Sequence, residues 1–235
     1  MRYECTIKYE TIKGIKMTYK LLISTILLGL FFFSGCAVNR GVVKLDTPVS
    51  ENSIQVANGK EIYIRSVTDT RVFEVNPATP DIPSLDPDRL QTDDIKARAI
   101  GRKRNGFGKA LGDILLHEDQ SITQAVKDAS QQAFREMGYK IVTSEKDISD
   151  KTYIVDIEVN KFWSWMNPGF WAITLSTEIS TNITLKMPNE SQDKLIYVKA
   201  ADTFQTGGGS NWIEVMHLGL KLYIDEIKIK YADMK

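Results

Sequence analysis

The residue with the most distinctive chemistry in this chain is the thiol of Cys36, which closes the run "LFFFSGC" just before the sequence turns polar. A thiol there could be half of a disulfide, a metal ligand, a buried inert group or a handle for covalent modification. The other cysteine is Cys5, and a bridge between the two would loop through the apolar run that separates them, so a disulfide-built fold is ruled out. His117 and His217 lie far apart and neither sits in a ligand spacing, so four metal ligands cannot be assembled. The segment "GFGK" at 106–109 lacks the rest of a phosphate loop, because Gly101 is too far upstream and Ala110 stands where a hydroxyl should hold magnesium. "TGGGSNW" at 206–212 precedes a helical pattern, so its free amides suit an anion, and its three glycines equally suit a flexible joint. Asp156 and Glu158 alternate onto the wet face of a strand, and Asp69 with Arg71 reads as a structural ion pair at a strand end. No acid–base pair, nucleophile or cofactor motif is complete, and the chain is not expected to be an enzyme.

The sequence upstream of Cys36 supplies the context for the thiol. Lys20 is followed by about thirteen mostly apolar residues, short of the roughly 20 needed to cross a bilayer. That length fits the apolar core of a secretory signal, with small residues at the cleavage point. Phe33-Ser34-Gly35-Cys36 resembles the lipobox of bacterial lipoproteins, in which small residues let the chain lie extended in a narrow protease groove. The resemblance implies cleavage before Cys36, diacylation of its sulfur, and residues 1–35 as signal peptide. Met17 is then the natural start, with 1–16 an over-called extension. Ala rather than Asp at position 37 implies sorting to the outer membrane, with the lipid chains as the membrane contact.

Two clusters could recognise partners. Arg98, Arg102, Lys103, Arg104 and Lys109 gather around an Asn105-Gly106 turn. They stand out because removal of residues 1–35 leaves 25 basic against 28 acidic residues, a weakly acidic body with no drive toward nucleic acid. Such a cluster could meet lipid phosphates or an acidic partner, or simply be solvated. In "FWSWMNPGFW", 162–171, Trp163, Trp165 and Trp171 either close the end of the core or form an apolar patch for a partner or a membrane. The regular alternation breaks there, so no side can be assigned.

The elements that must carry these groups are legible from periodicity. Residues 36–58 show no sustained period and read as a lipidated tether, with an r.m.s. reach of roughly 25 Å for about twenty residues. A single α+β domain is expected over 59–235. Ile62, Ile64 and Val67 mark a first strand. The proline-rich, acidic segment 74–95 is neither helix nor central strand, and reads as an excursion over the surface. Ser121-x-x-Gln124 caps a helix with an apolar stripe from Ile122 to Met137, ended by Gly138. Alternation over 153–160 and along 173–187 gives one apolar and one wet face, and a further strand follows "PNESQD". Asn211-x-x-Glu214 is a second capping arrangement, opening a helix whose apolar face carries Trp212, Met216, Leu220, Tyr223, Ile227 and Tyr231. The expected architecture is a two-layer sandwich: an antiparallel sheet of four to six strands with two amphipathic helices packed on one face.

Taken in order, the lipobox, "VTDTR", "RNGFG", "AFREMGYKIV" and the alternating strand pair resemble the YajG-type outer-membrane lipoproteins over roughly residues 36–235. The resemblance implies a periplasmic α+β domain without known catalysis, similar to accessory lipoproteins of the envelope. The expected role is a non-catalytic binding or assembly module that meets an envelope protein or peptidoglycan. The alternative is a carrier or chaperone for a lipidic or cell-wall ligand, using a groove near 162–171.

Overall fold

The computed structural model describes residues 40–49, 57–105, 107–187 and 190–233. The expected signal segment 1–35, Cys36 and the tether residues 37–39 and 50–56 lie outside the described residues. The compact unit that contains every described residue spans Val38–Lys235.

The sheet is organised around one long strand. β6 (Thr152–Pro168) pairs along one edge, antiparallel, with β7 (Ile173–Met187), which pairs in turn with β8 (Glu190–Phe204). The other edge of β6 is shared end to end by two shorter strands, both parallel to it. β2 (Glu61–Asp69) runs along Thr152–Val159, and β3 (Ala99–Arg104) joins at Gly101 and Arg102, opposite Ser164 and Trp165. Outside β2 lies β5 (Lys140–Val142), and outside β3 lie β4 (Ala110–Leu116) and then β1 (Gly41–Val43). The sheet therefore forks. It has eight strands and is mixed, not an antiparallel sheet of four to six. The extra strands escaped periodicity for two reasons: β1 and β5 are three residues each, and β3 and β4 are covered on both faces, so their apolar residues do not alternate.

Three helices occur among the described residues: α1 (Asp93–Arg98), α2 (Ile122–Glu136) and α3 (Gly209–Lys230). Ser121 caps α2 by accepting the Gln124 amide at 3.2 Å, and Gly138, with φ +87°, turns the chain out of it. α3 starts earlier than expected. Gly208 is its cap and offers no side chain, while Asn211 donates from Nδ2 to the Thr206 carbonyl at 2.6 Å. The two long helices cover one face of the sheet as expected, over Ile64, Val155, Ile157, Leu175, Ile179, Ile183, Ile196 and Val198. Trp212 of α3 lies so close to β3 that a Cβ at Gly101 would stand 2.7 Å from its ring and 2.7 Å from the Ser164 carbonyl. Only glycine fits there.

The opposite face is not wet along its whole length. The proline-rich excursion folds onto the β3–β4–β6 end of it, where Leu85, Ala99, Leu115, Trp163 and Trp165 form a second, smaller core with Phe73 and Ile95 against it. The excursion is thus half of a cover rather than a surface ornament. Part of the expected tether is also structural. β1 is paired into the sheet, Val43 and Leu45 are buried, and Gln120 clamps Leu45 by accepting its amide at 3.0 Å and donating to its carbonyl at 2.6 Å. A three-residue strand is too short to show a period, which is why this segment looked unstructured.

Candidate functional site

The basic cluster divides into residues that hold the fold and residues that face solvent. Arg98 is buried, paired with Asp94 at 2.9 Å and donating to the Leu116 carbonyl at 3.1 Å. Arg102 is buried between Asp113 and the excursion, where it donates to the Leu85 carbonyl at 2.8 Å and lies 3.7 Å from Asp113. Asp113 is fully buried and also receives Arg40 Nε at 3.1 Å and the Asp86 amide at 3.1 Å. No partner surface can be built on Arg98 or Arg102. Arg102 ties the excursion to the sheet, and Arg98 ties α1 to the end of β4. Arg104 is half-buried and donates to Ser84 Oγ at 3.0 Å; burial, and then repulsion from Arg102, push its pKa below the usual guanidinium value. Lys103 is half-exposed and Lys109 exposed, and neither pairs with a carboxylate among the described residues.

The aromatic run divides in the same way. Trp163 is 0% exposed and donates from Nε1 to the Pro80 carbonyl at 3.1 Å, with Phe73 edge-on to its ring. Trp165 is buried under Lys161 and Lys199, whose ammonium groups stand 5.9 and 5.2 Å from its ring centre. Both belong to the second core. Trp171 is 84% exposed and stacks edge-to-face at 4.7 Å on Phe170, which is 89% exposed. The cause of the split is a bulge in β6 between Val159 and Lys161. It shifts the parity, so that Phe162, Ser164 and Met166 face the helices while Trp163 and Trp165 face the excursion.

Lys109 and Trp171 lie on two hairpin tips, residues 105–109 after β3 and 169–172 after β6, whereas Lys103 lies in β3 and reaches over to Gly41. Because β3 and β6 are parallel and in register at Arg102 and Trp165, the tips leave the sheet at the same end. A cleft of about 260 Å³ between them is lined by Arg104, Asn105 and Gly108, by Met166, Asn167 and Pro168, and by Ala78 and Pro80 of the excursion. Phe107, at the first tip, is 98% exposed. The "GFGK" loop directs its amides inward: Asn105 Oδ1 accepts from Phe107 N at 3.0 Å and from Lys109 N at 2.9 Å, which leaves neither amide for a phosphate. Phe107 and Phe170 were not singled out in the sequence. The signal was available, since each is a large aromatic inside a glycine-containing turn, where nothing can cover it.

The other charged groups have structural partners. Arg71 holds Asp69 at 2.9 Å, as expected for a strand-end pair, and its burial lowers its pKa. Asp156 sits on the solvent side of the sheet, and its hydrogen bonds from Arg65, Ser66 and Lys186 hold its carboxyl down at about 2. Among the described residues no three His, Cys, Asp or Glu side chains are grouped to hold a metal ion, and no helix is long and apolar enough to cross a membrane.

No family model matches the chain, and no curated protein matches it. Among solved structures it is similar to an uncharacterized protein at TM-score 0.45 and 9% identity, over 82% of this chain and 98% of that one. A Xanthomonas campestris protein of the DUF330 family gives TM-score 0.46 and 14% identity, over 83% and 98% of the two chains. A proposed homolog of neuraminyllactose-binding hemagglutinin from Helicobacter pylori gives TM-score 0.31 and 8% identity, over 80% and 93%. Likenesses at this level carry no statement about function.

Proposed function

We propose that this chain is a bacterial envelope lipoprotein, held to the outer membrane by acyl chains on Cys36, whose periplasmic domain is a non-catalytic binding or assembly module. The observation that carries the proposal is the sequence Phe33-Ser34-Gly35-Cys36 placed four residues ahead of Arg40, the first described residue of the folded unit. A lipidated thiol so close to a folded body makes a membrane-proximal domain. The likeness to YajG-type lipoproteins belongs to the same proposal, and the partner class it favours is an envelope protein or peptidoglycan.

A carrier for a lipidic ligand has less support. Phe162, Trp163 and Trp165 fill the interior, and the cleft at the end of β6 is only about 260 Å³ and mixes Arg104, Asn105 and Asn167 with Ala78, Pro80, Met166 and Pro168.

Labelled palmitate tests the anchor. The wild-type chain is expected to incorporate label and fractionate with membranes, and Cys36→Ser to do neither. A wild-type protein that retains residues 1–35 and carries no lipid mass would overturn the assignment. Crosslinking in intact cells tests the module, and capture of nothing beyond copies of itself counts against it.

A further inference from the structure

The hairpin-tip end and the point where the chain enters the fold are related by the sheet. β4 runs away from its tip at 105–109, and β1 runs parallel to β4 with Gly41 level with Ile114 and Val43 with Leu116. β1 therefore begins, at Gly41, on its tip-facing end. This direction is fixed by the buried ion pair between Arg40 and Asp113. Four peptide units separate Cys36 from Arg40 and cannot span more than about 14 Å. The strand residues between Asp113 and Lys109 cover roughly the same distance toward the tip, at about 3.3 Å each. A tail on Cys36 thus cannot hold the domain clear of headgroups, and the end nearest the bilayer is the one that carries the tips.

That end has the composition of a membrane-facing surface. Phe107, Phe170 and Trp171 are almost fully exposed on two adjoining turns. Aromatic rings, tryptophan above all, favour the headgroup level of a bilayer. Arg104, bonded to Ser84 Oγ, and Lys109 flank them without ion pairs among the described residues, and Asp202 on β8, level with Leu175, is a carboxylate that shares this end by register. Each cation near an anionic leaflet favours binding by about fivefold.

We propose that the two hairpin tips form a bilayer-docking surface, with Phe107, Phe170 and Trp171 entering the interfacial region of an anionic phospholipid leaflet and Arg104 and Lys109 facing its phosphates. The inference rests on the lipid-anchor reading for its orientation, and the test separates the two.

Trp171 is the reporter, because the other three tryptophans, Trp163, Trp165 and Trp212, are buried. Purified mature protein is mixed with vesicles of phosphatidylglycerol and phosphatidylcholine brominated on its acyl chains, and its tryptophan emission is recorded. Mass spectrometry of the same sample reports whether Cys36 carries lipid. Docking predicts that bromolipid quenches part of the emission and that Trp171→Phe abolishes the quenching. Vesicle partition of the acyl-free mature protein should fall about fivefold in Lys109→Gln. Both substitutions are at exposed positions and leave the core intact. Quenching absent from wild type, or equal in Trp171→Phe, overturns docking whether or not lipid is found. Lipid mass without Trp171 quenching leaves the anchor standing and removes the docking surface. Quenching without lipid mass keeps docking and removes the anchor. Shielding of Trp171 that tracks protein concentration in lipid-free buffer would assign the tips to a second copy of the chain and overturn the proposal.

Discussion

Replacing Arg71 by methionine should unfasten the fork in the sheet. Arg71 follows β2 directly, at the place where β2 leaves the edge of β6 and β3 takes over. Its five N–H donors make five bonds: Nε and Nη2 to Asp69 at 2.9 and 3.0 Å, Nη2 to the Lys96 carbonyl at 2.6 Å, and Nη1 to the carbonyls of Ala99 and Phe162 at 2.7 and 3.1 Å. Arg71→Met keeps much of the stem volume and deletes every donor. Asp69 and the Lys96 carbonyl can rehydrate, because a cleft opens beside them. The Ala99 and Phe162 carbonyls cannot, and each stranded acceptor costs about 1–3 kcal/mol. With the ion pair broken from one side, the whole loss is about 3–5 kcal/mol. At about 2–4 °C per kcal/mol for a domain of this size, the midpoint should fall by roughly 6–20 °C. Urea unfolding followed by circular dichroism gives the free energy, and a thermal scan gives the midpoint. Arg71→Lys keeps the charge beside Asp69 but has one nitrogen to offer three separated carbonyls, so it should recover no more than about half of the loss. A methionine variant within about 1 kcal/mol of wild type, or a lysine variant equal to wild type, would refute the idea that the guanidinium fork holds the strands.

Gly101→Ala should destabilise by about 1–3 kcal/mol, since the new methyl meets a backbone carbonyl and the Trp212 ring, both at 2.7 Å; an unchanged urea midpoint would show that α3 does not pack as described. Asp156 has a folded-state pKa of about 2, below the ordinary carboxylate value near 4, so its contribution is fully present above about pH 4 and is lost as pH falls through about 2. Asp156→Asn should therefore show a shallower loss of stability between those two values in urea titrations, and an acid limb parallel to that of wild type would exclude the group.

The sequence was most legible where one face of an element meets the core and the other meets water. α2 with its serine cap, the odd positions of β7 and the apolar face of α3 all satisfy that condition. Legibility failed where both faces are covered. In β3 and β4 the run from Ala99 to Arg102 and from Gly112 to Leu116 is buried throughout, so no period separates core from solvent. It failed again at the β6 bulge, where a single extra residue exchanges the two faces and makes Trp163 and Trp165 unassignable from spacing. The candidate site suffered from the first problem. Arg98 and Arg102 carry charge, and charge reads as surface, but Arg102 meets Leu85 and Asp113, and Arg98 meets Asp94 one turn back and the Leu116 carbonyl. Lys109 kept the exposure that its charge suggests, and Trp171 is exposed because it sits in the hairpin turn after β6.

The buried arginines follow from the prolines. Where a helix covers a sheet, its carbonyls are already paired along its own axis, and the contact can be mostly apolar, as it is under α2 and α3, where the polar contacts are hydroxyls such as Thr181 on Tyr223. The excursion that covers the other face cannot form such a ladder. Four of its residues are prolines, which block helix and lack the amide, so only some of its carbonyls, such as those of Thr79, Pro83 and Asp86, find a backbone partner within it. Each that lies against the sheet has to find a donor there. The Leu85 carbonyl takes Arg102, the Pro80 carbonyl takes the Trp163 indole, and the Leu90 carbonyl takes Arg40 at 2.7 Å. All three are side chains that donate and cannot accept. The positive charge this brings in is then balanced by Asp113 and Asp86. A basic cluster in an acidic chain is therefore, in its buried half, the consequence of covering a sheet with irregular proline-rich backbone. Arg104 still serves the cover through Ser84, so among the described residues of the cluster it is Lys109, out at the tip, whose charge has no such structural use.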